Sequence, residues 1–90
     1  MSIQATAFEA ALVSEGASYT IPSGKLAIFC LRNGSGNTGS FLMINNVIVS
    51  NDVTLCIEWK PFCANAGEVI ALSPNESLGT AYANINGLLF

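Results

Sequence analysis

The segment Lys25–Arg32, KLAIFCLR, is apolar on both faces between its two charged ends. In an extended chain Leu26, Ile28 and Cys30 fall on one side, and Ala27, Phe29 and Leu31 on the other. An antiparallel strand with one face in water alternates apolar and polar residues, so a strand apolar on both faces is covered on both. One cover is the core of the domain, and the other is a candidate subunit interface. Ala27, Phe29 and Leu31 are assigned to that interface.

Covering such a strand twice is demanding for 90 residues. A chain of this size buries roughly 60–65% of the surface its unfolded form exposes. Small domains therefore supplement a thin core with disulfides, a metal or oligomerisation. The chain has no histidine, and Cys30, Cys56 and Cys63 include no pair at metal-ligand spacing. No metal and no cofactor are expected. Three is an odd count for a disulfide framework, so the cysteines are read as reduced, buried small hydrophobes. One bridge with one free thiol stays open, Cys56 and Cys63 being nearest in sequence.

Oligomerisation is left, and composition points the same way. Apolar residues make up 51% of the chain and charged residues 10%, against about 25% charged in an ordinary soluble domain. Part of this apolar surplus is expected to face a partner protein. A membrane is not expected, since no stretch approaches the ~20 apolar residues of a spanning helix. The first basic residue is Lys25, so no secretory leader is expected either. Nucleic acid is disfavoured by a net charge of −3 and the lack of any basic patch.

Along the chain, residues 1–16 (MSIQATAFEAALVSEG) hold the only run of good helix formers. They read as an N-terminal arm, a short helix or extended segment ordered against something else. An N-terminal strand paired within the domain is the competing reading. From Ala17 to Phe90 the pattern is β throughout. Strands are expected at Ser18–Ile21, Lys25–Arg32, Ser40–Asn45, Val47–Ser50, Val53–Trp59, Glu68–Ser73 and Gly79–Phe90. The intervening punctuation is Pro22-Ser23-Gly24, a glycine-rich loop Asn33–Gly39, Asn45-Asn46, Asn51-Asp52, an interruption at Pro61–Asn65, and the polar tip Pro74–Ser77. The last strand bends near Asn86-Gly87, and its apolar end, Leu88-Leu89-Phe90, predicts a C-terminus tied into a sheet or an interface. Seven short strands with turns every 8–12 residues predict an all-β fold, a small antiparallel β-sandwich or jelly-roll-like barrel carrying a short arm.

Catalytic chemistry is not expected. Without histidine the commonest general base is missing. Glu58, mid-strand beside Cys56 and Trp59, reads as a partner of Lys25, Arg32 or Lys60. Asn33–Asn37 resembles a phosphate-binding glycine loop only superficially, because a strand follows it instead of a helix N-terminus. Trp59, Tyr19 and Tyr82 are the aromatic residues able to stack on sugar rings, with Trp59 read first as core.

Three phrases occur in order: Tyr19–Lys25 (YTIPSGK), Ala66–Ile70 (AGEVI) and Asn84–Phe90 (NINGLLF). Together they resemble small β-sandwich modules of tailed-phage virions. There x-(I/V)-P-(S/A)-G-K opens a strand, (A/P)-G-x-x-I precedes a late one, and x-I-N-G-x-L/F closes the chain. The resemblance implies a head decoration (cement) protein or a head-fibre module, often trimeric. It implies the major capsid protein as partner, homo-oligomer formation and a place on the virion's capsid surface. The lack of a shaft sequence favours the compact cement protein over the fibre. The partner-facing residues are then expected to be Ile3, Phe8 and Leu12 in the arm, Ala27, Phe29 and Leu31 in the two-sided strand, and Leu88, Leu89 and Phe90 at the end. The alternative is a carbohydrate- or receptor-binding tip module.

Overall fold

The computed structural model describes residues 4–36, 40–52, 61–73 and 80–90. Among the described residues eight strands are formed: β1 (Thr6–Val13), β2 (Tyr19–Thr20), β3 (Leu26–Gly36), β4 (Phe41–Ile44), β5 (Val47–Asp52), β6 (Phe62–Asn65), β7 (Val69–Leu72) and β8 (Ala81–Leu89). They make two four-stranded sheets, β1-β8-β3-β6 and β2-β7-β4-β5. Every pairing is antiparallel. The fold is all-β, a small sandwich, as the turn spacing predicts.

The pairings are nested. β1 lies beside β8, β2 beside β7, β3 beside β6, and β4 beside β5. The chain thus behaves as one long hairpin folded at Asn45-Asn46 and rolled over itself, the connectivity of a jelly roll. Asn45 and Asn46 have φ of +49° and +65°, which suits a two-residue turn whose twist matches its strands. The Asn45 side-chain oxygen accepts from the Val69 N–H at 2.8 Å, and the Asn45 N–H donates to the Val69 carbonyl at 2.9 Å. The hairpin tip is thereby fastened to β7.

This nesting decides between the two readings of the N-terminus. β1 pairs with β8 along its whole length, from Thr6↔Leu89 to Val13↔Tyr82. It is a strand of the domain, not an arm or a helix. Helix propensity in AFEAALV is worth only tenths of a kcal/mol per residue, which is less than a full ladder and a buried face supply. Phe8, Ala10 and Leu12 point into the sandwich, with Leu12 at 1% exposure. Phe8 stacks on Tyr19 at 5.1 Å between ring centroids, joining the two sheets along one open side.

Two other boundaries move. Asn33–Gly36, read as loop, continues β3 past a register shift between Arg32 and Ser35, pairing Ser35 with Tyr82 and Gly36 with Ala81. A bulge admits the extra residue while the ladder resumes beyond it. The interruption at Pro61–Asn65 is instead the edge strand β6, where Pro61 stands just outside and leaves the ladder donors intact. The expected strand Val53–Trp59, the tip Pro74–Ser77, and residues 37–39 lie outside the described residues.

The core lies between the sheets. Phe29, Leu12, Ile21, Leu42, Ile70 and Ile85 are each at most 1% exposed, and Phe29 stacks on Phe62 at 5.7 Å. Burying side chains of this size stabilises by roughly 1.5–3 kcal/mol each. Two turns at one pole close it. The Lys25 N–H reaches the Pro22 carbonyl with Gly24 at φ +75°, and the Glu68 N–H reaches the Asn65 carbonyl with Gly67 at φ +83°. Positive φ at the third turn position is what glycine supplies without strain.

Candidate functional site: the outer face of the β1-β8-β3-β6 sheet

The core uses only one face of this sheet. Because side chains alternate, the outward residues are Ala7, Glu9 and Ala11 of β1, Tyr82, Asn84, Asn86 and Leu88 of β8, Leu26, Ile28, Cys30 and Arg32 of β3, and Cys63 of β6. The register arranges them in rows across the strands. Ala7, Leu88, Ile28 and Cys63 form an apolar row. Glu9, Asn86 and Cys30 form the next, and Ala11, Asn84 and Arg32 the one after. Tyr82, opposite Val13, follows.

The apolar row sits at the pole where the chain ends. Leu26, 37% exposed, extends it, and Leu88 is 42% exposed. Phe90 is held there by two backbone bonds to Leu26, at 2.8 and 3.1 Å. The three ordered phrases meet at this pole. Ile21 of the first accepts from the Gly67 N–H and donates to the Glu68 carbonyl of the second, each at 3.0 Å. Leu26, next to the first phrase, pairs with Phe90 of the third. Cys63 is exposed and Cys30 half-buried, both as free thiols; Cys56 lies outside the described residues.

The polar rows border a hollow. It has a volume of about 550 Å³ and is lined by Glu9, Arg32, Asn84 and Asn86 around Ala10, Ala11 and Ile85. Ala11 carries only a methyl group in the row it shares with Asn84 and Arg32. Neither charged side chain makes an ion pair or hydrogen bond among the described residues. The Asn86 side-chain oxygen is buried and has no donor among the described residues.

The partner-facing set expected from the sequence is dispersed. Ala27, Phe29 and Leu31 are buried at 0%, 1% and 6%, and they belong to the core of this chain. The assignment of the two faces of Lys25–Arg32 is therefore reversed. Leu12 and Leu89 are also core, Phe8 is half-buried against it, and Phe90 is half-buried. Leu88 stands on the outer face, and Phe90, paired with the outward Leu26, shares its parity there. Ile3 lies outside the described residues, as do Trp59 and Glu58. A signal for the correct face was present in Arg32, which shares parity with Leu26, Ile28 and Cys30. A charged residue inside a strand marks its solvent side, and Lys25, on the other parity, lies in the preceding turn. No local motif announces Glu9, Asn84 and Asn86, because they are brought to one face only by alternate positions of paired strands.

No family model matches the chain, and comparison with curated proteins and with solved structures finds no match.

Proposed function

We propose that this chain is a non-enzymatic structural protein of a tailed-phage virion, a capsid decoration protein that docks many copies onto the head. The observation that carries the reading is the outward apolar row Ala7–Leu88–Ile28–Cys63, extended by Leu26, in which Ile28 is half-buried and the others are exposed. It lies at the pole where the three virion-like phrases meet. An apolar row on the outer face of a sheet whose other face packs the core is surface for a protein partner. Jelly rolls recur among viral capsid proteins, which is an analogy of fold and adds only modest weight.

On this reading the decoration works by summed weak contacts. Each copy buries a small apolar strip against the major capsid protein or a neighbouring copy, and repetition over the shell converts modest single-site affinity into durable attachment. Homo-oligomers, with a trimer favoured, would present several strips at once.

The test is binding to phage heads that lack the protein. Purified chain is titrated onto such heads, and occupancy and the temperature of DNA release are measured. Saturable occupancy with a raised release temperature is expected, and Leu88→Asp should abolish both. No saturable binding of the unmodified chain overturns the proposal.

A further inference from the structure

We propose that the hollow beside the apolar row is a binding site for a neutral carbohydrate. The inference goes beyond the structural role and does not rest on it, because it uses different residues of the same face.

Charge comes first. Glu9 and Arg32 stand on opposite sides of β8, one row apart, and line the same hollow. Their opposite charges leave it with no net attraction for an anion or a cation. A phosphate drawn to Arg32 would meet the Glu9 carboxylate, and an ammonium drawn to Glu9 would meet the guanidinium. An uncharged ligand rich in hydrogen-bonding groups avoids both penalties.

The donors and acceptors fit such a ligand. Arg32 offers only donors, Glu9 only acceptors, and the two carboxamides offer both. A row of sugar hydroxyls, each able to donate and accept, satisfies this mixture where a purely accepting or purely donating ligand does not.

Shape and the apolar component agree. About 550 Å³ lies within the usual range of small-molecule sites. Tyr82 shares the outward face of β8 with Asn84 and Asn86 and is 50% exposed. Its ring is a flat apolar surface with a polar tip, suited to the C–H face of a pyranose held by its hydroxyls in the hollow. All five side chains stand on paired strands, so the site is formed before the ligand arrives.

The experiment is a backbone-amide NMR titration of the full chain. The probes are unsubstituted gluco-, galacto- and manno-oligosaccharides of two to four rings, with inorganic phosphate and a neutral peptide as controls. At least one oligosaccharide should bind saturably, with Kd at or below about 1 mM, moving the amides of residues 9, 32 and 82–86. Arg32→Ala and Tyr82→Ala, both at exposed positions, should each weaken it roughly tenfold with the spectrum otherwise unchanged, and Leu88→Asp should leave it intact. If no oligosaccharide binds, if shifts fall away from this face, or if only phosphate or the peptide binds, the proposal is overturned. Loss of head binding with sugar binding retained would sink the decoration reading alone.

Discussion

Gly87 and Phe29 stand opposite each other in the β8–β3 ladder, and a Cβ placed on Gly87 would lie 2.6 Å from the Phe29 Cα and 2.8 Å from its Cβ. It would also meet the Ile28 carbonyl oxygen. Phe8 flanks the same glycine from β1. The two phenylalanines, on strands to either side, thus border the inward position that Gly87 leaves without a side chain, and this is why NING is compatible with the middle of a central strand.

Gly87→Ala should therefore be among the most damaging small substitutions. Backbone atoms on β3 cannot step aside, so the cost is overpacking of the core, of order 2–4 kcal/mol. Gly24→Ala is the control. Its φ of +75° is unfavourable to alanine, but nothing lies within 4 Å of the added carbon, so about 1–2 kcal/mol is expected. Urea unfolding of both variants separates steric from dihedral cost; equal losses would contradict the close approach at Gly87.

Gly87 also illustrates what the sequence tells and what it conceals. The Asn45-Asn46 turn and the Pro22–Lys25 turn are local chemistry, and local chemistry is legible; at Asn86-Gly87, where the sequence suggests a bend, both ladders of β8 run on without a register shift. The sandwich follows from strand spacing. The place of Thr6–Val13 does not, because it is decided by β8, whose paired residues lie 69 to 83 positions away. Nor does periodicity say which face of Lys25–Arg32 meets the core: both faces are apolar, and the choice depends on what β8 and β6 bring alongside. The hollow is still less legible, since its lining is brought together from three strands far apart in the chain.

Two serines make a contrasting pair. Ser73 is buried, and its hydroxyl accepts from the Phe41 N–H at 2.8 Å while its own N–H donates to the Phe41 carbonyl at 2.8 Å. Ser73→Ala leaves a part-buried N–H unpaired and should cost about 1–3 kcal/mol. Ser40 is fully buried, and its hydroxyl has no partner among the described residues. Ser40→Ala removes a desolvated polar atom without breaking a bond, and should stabilise by about 1 kcal/mol. Opposite shifts of the thermal midpoint are the expected result; loss of stability in both would place a partner on the Ser40 hydroxyl.

The hairpin turn carries its own test. Asn46 adopts φ +65°, which asparagine tolerates and glycine adopts freely. Asn46→Gly gives the Asn-Gly turn most favoured between two strands and should raise stability by a few tenths of a kcal/mol to about 1 kcal/mol. Asn45→Ala places alanine at φ +49° and removes the acceptor for the Val69 N–H. It should cost about 2–3 kcal/mol, from the left-handed backbone and the lost bond together. Chemical denaturation of the pair checks the sign of each; a neutral Asn45→Ala would mean that the Val69 contact adds nothing.

Leu88 is where stability and association part company. It is 42% exposed and points away from the core, so Leu88→Asp should change unfolding free energy by no more than about 0.5–1 kcal/mol. Its neighbours Ala7 and Ile28 lie in the same cross-strand row, and a carboxylate among them makes that row costly to desolvate. Any assembly that buries the row should weaken by at least about tenfold, equivalent to about 1.4 kcal/mol. Phe29→Ala should do the reverse, losing about 3–5 kcal/mol of stability while leaving the outer face unchanged. Sedimentation across a concentration series, paired with urea unfolding, distinguishes them. If Leu88→Asp destabilises the fold as much as Phe29→Ala, the row belongs to the core and has no surface to offer a partner.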